Sequence, residues 1–181
     1  VNGAYQETST KAKGWDKVDS EISTLTAGAD FQVADDAILG AYVSTYKDDS
    51  KFSESNGTSE TDLTTFGVYG KWNTASDLYF AANAQYGFGD VEFKRSVTNG
   101  VDSEQSNAKS DLDKYGVYGE VGYSFINNQW SVSPYAALSF NSVTLDKVNE
   151  SSEMGVTVDD VTAKETKLHA GVRFDYRVTE N

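Results

Sequence analysis

The chain has 181 residues, no cysteine, one proline, and a net charge of −13. That length suits one domain with a substantial core. The missing cysteines exclude disulfides and thiolate metal sites, and the acidity excludes a nucleic-acid partner, which needs clustered Lys and Arg. No apolar run approaches the roughly 18 residues of a membrane helix. Val1 opens into strand-like sequence with no basic start and no apolar core of a signal peptide.

Alternation with a period of two runs along most of the chain, so the expected class is all-β. A weaker first strand covers Val1 to Lys13. The second carries Leu25, Ala27, Ala29, Phe31 and Val33 on one face, and the third Leu39, Ala41 and Val43. The fourth shows Phe66, Val68, Gly70 and Trp72; the fifth runs from Leu78 through Phe80, Ala82, Ala84 and Tyr86 to Phe88. The sixth has Tyr115, Val117, Gly119, Val121, Tyr123 and Phe125. The seventh has Trp130, Val132, Pro134, Ala136, Leu138 and Phe140, and the eighth Leu168, Ala170, Val172, Phe174, Tyr176 and Val178.

None of these positions is charged, although 24% of the chain is. The opposite face mixes Asp30, Lys71, Glu120, His169, Arg173, Asp175 and Arg177 with tyrosines such as Tyr42, Tyr69, Tyr79, Tyr118 and Tyr135. A soluble sandwich fills its apolar face with Val, Ile and Leu. Here that face is rich in Ala and aromatics, which suits lipid better. The expected fold is therefore a transmembrane antiparallel up-and-down β-barrel, with residues 1–181 as a single domain and the mixed face lining the lumen.

Aromatic residues on the apolar face gather in two tiers. Phe31, Trp72, Phe125, Trp130, Phe174 and Tyr176 lie at one end, and Phe66, Phe88, Tyr115 and Phe140 at the other. Two aromatic girdles at the two lipid–water interfaces are a barrel feature. Connections alternate in length as well. Asp35-Asp36, Asn73 to Asp77 and Asn127-Asn128 are expected as tight turns. Between them fall the longer polar loops Gly14–Ser20, Lys47–Asp62, Lys94–Asp113 and Asp146–Glu165. Short periplasmic turns and long outer loops place both chain ends on the periplasmic side.

Four segments carry a family resemblance: Gly28 to Gly40, Tyr115 to Phe125, Pro134 to Leu138, and His169 to Tyr176. In this order and spacing they resemble the translocator domain of autotransporters (type V secretion). The resemblance implies a twelve-stranded barrel that anchors in the bacterial outer membrane and helps a passenger reach the cell surface. It also implies outer-membrane lipids, the chain's own passenger or linker segment and the barrel assembly machinery as partners. On this reading no passenger or linker helix precedes Val1, and the final strands are missing after Asn181. Two alternatives stay open: a self-contained small barrel or adhesin whose acidic loops bind a surface partner, and a soluble lipocalin-like or sandwich protein.

No catalytic constellation, cofactor or metal site is expected. The single histidine, His169, would have to carry any catalytic triad alone, and a lumen hydrogen bond fits it better. Acidic pairs such as Asp48-Asp49 and Asp159-Asp160 lack the ligand spacing of a calcium loop. The inward charges are more telling: Glu120 and Arg173, two strands apart and read as level, are expected to pair with help from Tyr135 and Arg177.

Overall fold

The computed structural model describes residues 1–11, 17–53, 56–98 and 100–177. Val178 of the eighth stretch and Gly14 to Asp16 of the first polar loop lie outside them. The main sheet is antiparallel throughout. Its eight long strands are β1 (Asn2–Thr10), β2 (Val18–Ala34), β3 (Ala37–Phe52), β4 (Gly57–Asn73), β5 (Leu78–Thr98), β6 (Ser103–Tyr123), β8 (Trp130–Leu145) and β11 (Val161–Tyr176). They follow one another in chain order, β1-β2-β3-β4-β5-β6-β8-β11. A short β7 (Phe125–Asn127) pairs with the start of β8, and β9 (Val148–Asn149) pairs with β10 (Thr157–Val158). No helix occurs among the described residues.

One end of the sheet is closed by tight turns, and residues with short polar side chains supply the left-handed backbone there. Asp77 has φ 62° and Asn128 φ 48°. Asp35 and Asp36 link β2 to β3 as expected. The third turn falls one residue later than the sequence suggested: Asn127 pairs with Trp130, so the turn residues are Asn128 and Gln129. The side chain of Asn128 tolerates the left-handed conformation, whereas Asn127 stays extended. β11 reaches this end, with Tyr176 opposite Trp130, whereas Asn2 of β1 pairs with Thr26 in the middle of β2, so the expected place of both chain ends holds for β11 alone.

The long polar loops require a larger correction, because most of their described residues are strand. The β3–β4 ladder continues to Phe52↔Gly57, and the β5–β6 ladder to Thr98↔Ser103. The β8–β11 ladder ends at Leu145↔Val161, and β9–β10 resumes the same register at Val148↔Val158. These extensions still alternate, but with polarity exchanged. On β5 the side that carries Phe80 to Phe88 continues as Asp90, Glu92 and Lys94, while Val91 and Phe93 take the other side. An outer face that leaves an apolar medium for water must change in this way, and the exchange hid the ladder from a search for one apolar face.

Burial runs opposite to that of a soluble domain. Phe66, Val117 and Leu138 are more than half exposed, whereas Glu120 is 7% exposed. On the mixed face, tyrosine rings lie across glycines of the neighbouring strand. Tyr69 is paired with Gly40, Tyr42 with Gly67, Tyr79 with Gly122, and Tyr135 with Gly171. At each glycine an added Cβ would run into the ring. The missing side chain lets the ring lie flat and its hydroxyl reach the strand beyond. Tyr69 thus donates to Asp30 at 2.8 Å across β3, and Tyr42 to Gln85 at 3.1 Å across β4. Ring contacts on the apolar face, such as Phe66–Phe88 and Trp72–Phe80, link only adjacent strands. Side chains that converge across two strands on one face only indicate a sheet curved toward the mixed face.

Candidate functional site

On the mixed face Glu120 and Arg173 meet in one cluster near the turn end. Glu120 on β6 accepts from Arg173 Nη1 at 2.5 Å and Nη2 at 2.8 Å, and from the Tyr79 hydroxyl at 2.9 Å. It also accepts from the Tyr118 hydroxyl. Arg173 donates to Tyr79 at 2.6 Å, and its guanidinium lies 4.1 Å from the centre of the Tyr135 ring. The Lys71 ammonium sits 4.8 Å from the Tyr79 ring centre. A carboxylate with four charge-assisted or hydroxyl donors is well satisfied in a poorly hydrated place.

Arg173 and Glu120 are not level, contrary to the sequence reading. The residue level with Glu120 on β11 is His169, reached through Ala137. Arg173 sits four residues nearer the turn end and reaches diagonally. The length of the β8–β11 connection left that register undetermined from sequence. Arg177 does not join the cluster: it lies just past β11, exposed, with its backbone N–H donating to Gln129. His169 forms a 3.0 Å hydrogen bond with Ser139, and Asp175 accepts from Ser131 at 3.4 Å. The tyrosine donors Tyr79 and Tyr118 were missed as members. For Tyr79 the signal in the sequence was a Tyr placed opposite a Gly, readable only once the register is known.

The ten aromatic positions all lie on the apolar face. Phe31, Phe66, Trp72, Phe88, Tyr115, Phe125, Trp130, Phe174 and Tyr176 are exposed. Phe140 is half-buried against Tyr115, with ring centres 5.9 Å apart. Along β5, Phe80 and Phe88 are eight residues apart, roughly 27 Å of strand. That is comparable with the ~25 Å apolar band of an outer-membrane barrel.

A curved, all-next-neighbour antiparallel sheet with this apolar band matches one family model along its entire length. The autotransporter β-domain model covers residues 1–181. The chain belongs to the autotransporter β-domain family. It is a β-barrel component of the bacterial outer membrane. Among solved structures it is similar to the translocator domain of the autotransporter NalP from Neisseria meningitidis (TM-score 0.72, 16% identity). That match covers 95% of this chain and 59% of the other, so the chain spans well under two thirds of that domain. It is also similar to the β-domain of the Bordetella autotransporter BrkA (TM-score 0.65, 18% identity), covering 98% of this chain and 68% of that one. No curated protein sequence matches.

Beyond the apolar band the autotransporter sheet is tied, among other ion pairs, by a two-pronged one. Arg95 on the β5 extension donates through Nε at 2.6 Å and Nη2 at 2.7 Å to Glu150, beyond β9. Glu150 also accepts from the Val156 backbone N–H at 2.8 Å, and Ser151 N–H donates to Asn107 C=O at 2.9 Å. The guanidinium, followed by the Val156 amide, holds the Glu150 carboxyl down at about 2, below its ordinary 4.5. Its folded-state pKa is depressed, so its stabilisation is complete above about 4.5 and lost as pH falls toward 2. Amide exchange in 146–160 should stay slow from pH 8 to 5 and quicken relative to intrinsic rates between about 4.5 and 2. Glu150→Gln should show quick exchange throughout and no step; an unchanged step in that variant would assign it to another group.

Proposed function

We propose that this chain, as a single domain, supplies eight long strands of a wider barrel through which the autotransporter's own passenger segment reaches the cell surface. The mixed face lines the lumen, and the apolar face with its aromatic tiers meets lipid. The observation that carries this reading is the inverted burial: Glu120 is 7% exposed within a polar cluster while Phe66 on the other face is 52% exposed. Eight strands alone would give an interior filled by side chains. A twelve-stranded barrel gives the room that a polypeptide needs, and the longer relatives are consistent with further strands. The barrel assembly machinery and outer-membrane lipids are its partners in insertion; nucleic acid is not. The domain itself carries no catalysis.

The test uses the full-length protein in a bacterial outer membrane, with a folded-state reporter epitope placed in the passenger. The epitope should be open to external protease on intact cells, and the barrel should migrate as a heat-modifiable band. An epitope that stays periplasmic while the barrel is inserted would overturn the translocation reading.

A further inference from the structure

The apolar face is not evenly filled. Gly70, Ala82 and Gly119 are successive cross-strand partners on β4, β5 and β6, and they present nothing larger than a methyl group. Bulkier residues surround them. Leu39 and Leu138 are the next partners on β3 and β8 and stand at the two ends. Two residues farther along the strands, Val68 and Val117 border one side, and the stacked rings of Trp72 and Phe80 border the other. The result is an open depression of about 1450 Å³ with an almost wholly apolar lining. Leu39 leans over Gly70, where an added Cβ would come within 2.7 Å of its Cδ2. At Gly119 an added Cβ would meet no atom within 4 Å, so the floor there is bare. The indole N–H of Trp72 is already held by Asp36 at 2.8 Å, so that wall offers a ligand no free donor.

We propose that this hollow binds one acyl chain of a membrane lipid from the leaflet on the turn side. The inference rests on the reading of the apolar face as lipid-facing. The hollow lies between Ala84, midway between the aromatic tiers, and the turn-side ring of Phe80, so the medium that meets it is hydrocarbon. Inside a bilayer the hydrophobic effect gives no preference, because lipid tails are as apolar as the wall. Preference comes from van der Waals contact, which an unfilled hollow forfeits and a seated chain recovers. Leu39 and Leu138 are four strand spacings apart, roughly 19 Å, and a slender flexible chain can follow the floor between them. A second barrel fits worse. Its wall is broad and curves outward, so it would rest on the two leucines and the rings and leave the floor empty.

The test reconstitutes the full-length protein in phosphatidylcholine vesicles. A small fraction of that lipid carries a photoreactive diazirine midway along one acyl chain. Crosslinked residues are mapped by peptide mass spectrometry, and insertion is checked by heat-modifiable migration. Labelling at Gly70, Ala82 and Gly119 should exceed several-fold that at Val43, which is exposed on the same face outside the hollow. It should also saturate as the probe fraction rises, whereas passing contact rises in proportion. Gly119→Leu, which fills the bare floor, should bring Gly70 and Ala82 down to the level of Val43. Gly119→Val, with a smaller side chain that favours strands, should do so in part. Equal labelling at the floor and at Val43, or an excess that neither inserted variant reduces, would overturn the site and leave the lipid-facing reading standing. A wild-type dimer that Gly119→Leu dissociates, with no labelling excess, would give the hollow to a second copy and overturn the site as well. Labelling at Gln85 and Ser139 on the mixed face, with none on the apolar face, would overturn the lipid-facing reading and the site with it.

Discussion

Arginine in place of Ala84 is expected to destabilise the inserted barrel by about 2–4 kcal/mol, and arginine in place of neighbouring Asn83 by much less. Ala84 lies on the apolar face between Val68 and Val117, midway between the aromatic tiers. A charge there would sit near the bilayer midplane, where its desolvation is not repaid by any partner. Asn83 points to the other face, where its Nδ2 donates to the Tyr42 hydroxyl and to the Val68 carbonyl, both at 3.3 Å. Arginine at that position gives up those two modest bonds but keeps access to water and to acceptors. Val121 is the partner of Phe80 at the turn-side aromatic tier rather than at mid-band as the sequence suggested, so arginine there should cost less than at Ala84. The comparison is made by denaturant titration of folding into bilayers. Equal losses at Ala84 and Asn83 would mean that the two faces are assigned the wrong way round.

Adjacent residues can differ so much only because side chains alternate across a strand, and that alternation is also what made the sheet legible. Strand number, order and facing followed from apolar positions two apart, with turn residues such as Asp35-Asp36 between them. Legibility stopped where polarity changed sides. Asp90, Glu92 and Lys94 continue the face of Phe88, so a search for one apolar face reads them as loop. Cross-strand pairs such as Lys47–Asp62 at 2.6 Å and Lys109–Asp90 at 3.1 Å instead mark this region as ladder. The Glu120 cluster was legible in part. Its two charges are legible on the face opposite the apolar one, but their relative height depends on the register of β8 with β11. No local pattern encodes that register, because Asp146 to Asp160 sets it through a long connection.

Removing the Arg173 side chain tests whether that cluster acts as a unit. Arg173→Ala is expected to cost about 2 kcal/mol, below the roughly 3–5 kcal/mol of a fully buried pair. The reduction follows from exposure: the Glu120 side chain is 3% exposed, but that of Arg173 is 47% exposed and solvent screens it. The loss arises mainly at Glu120, a carboxylate left out of water with only the Tyr79 and Tyr118 hydroxyls as donors. Glu120→Gln removes that stranded charge while an amide oxygen can still accept from a tyrosine. In the Glu120→Gln background, Arg173→Ala should therefore cost less than about 1 kcal/mol, a coupling well above the few tenths seen for independent sites. The residual cost would come from the lost stacking on Tyr135. Tyr135→Leu separates that part, since it should lower stability without changing the coupling between Glu120 and Arg173. Urea titrations of the four combinations in bilayers give the cycle. Additive losses would show that the two side chains are solvated independently, and the polar cluster would then be a feature of a hydrated wall rather than a brace across four strands.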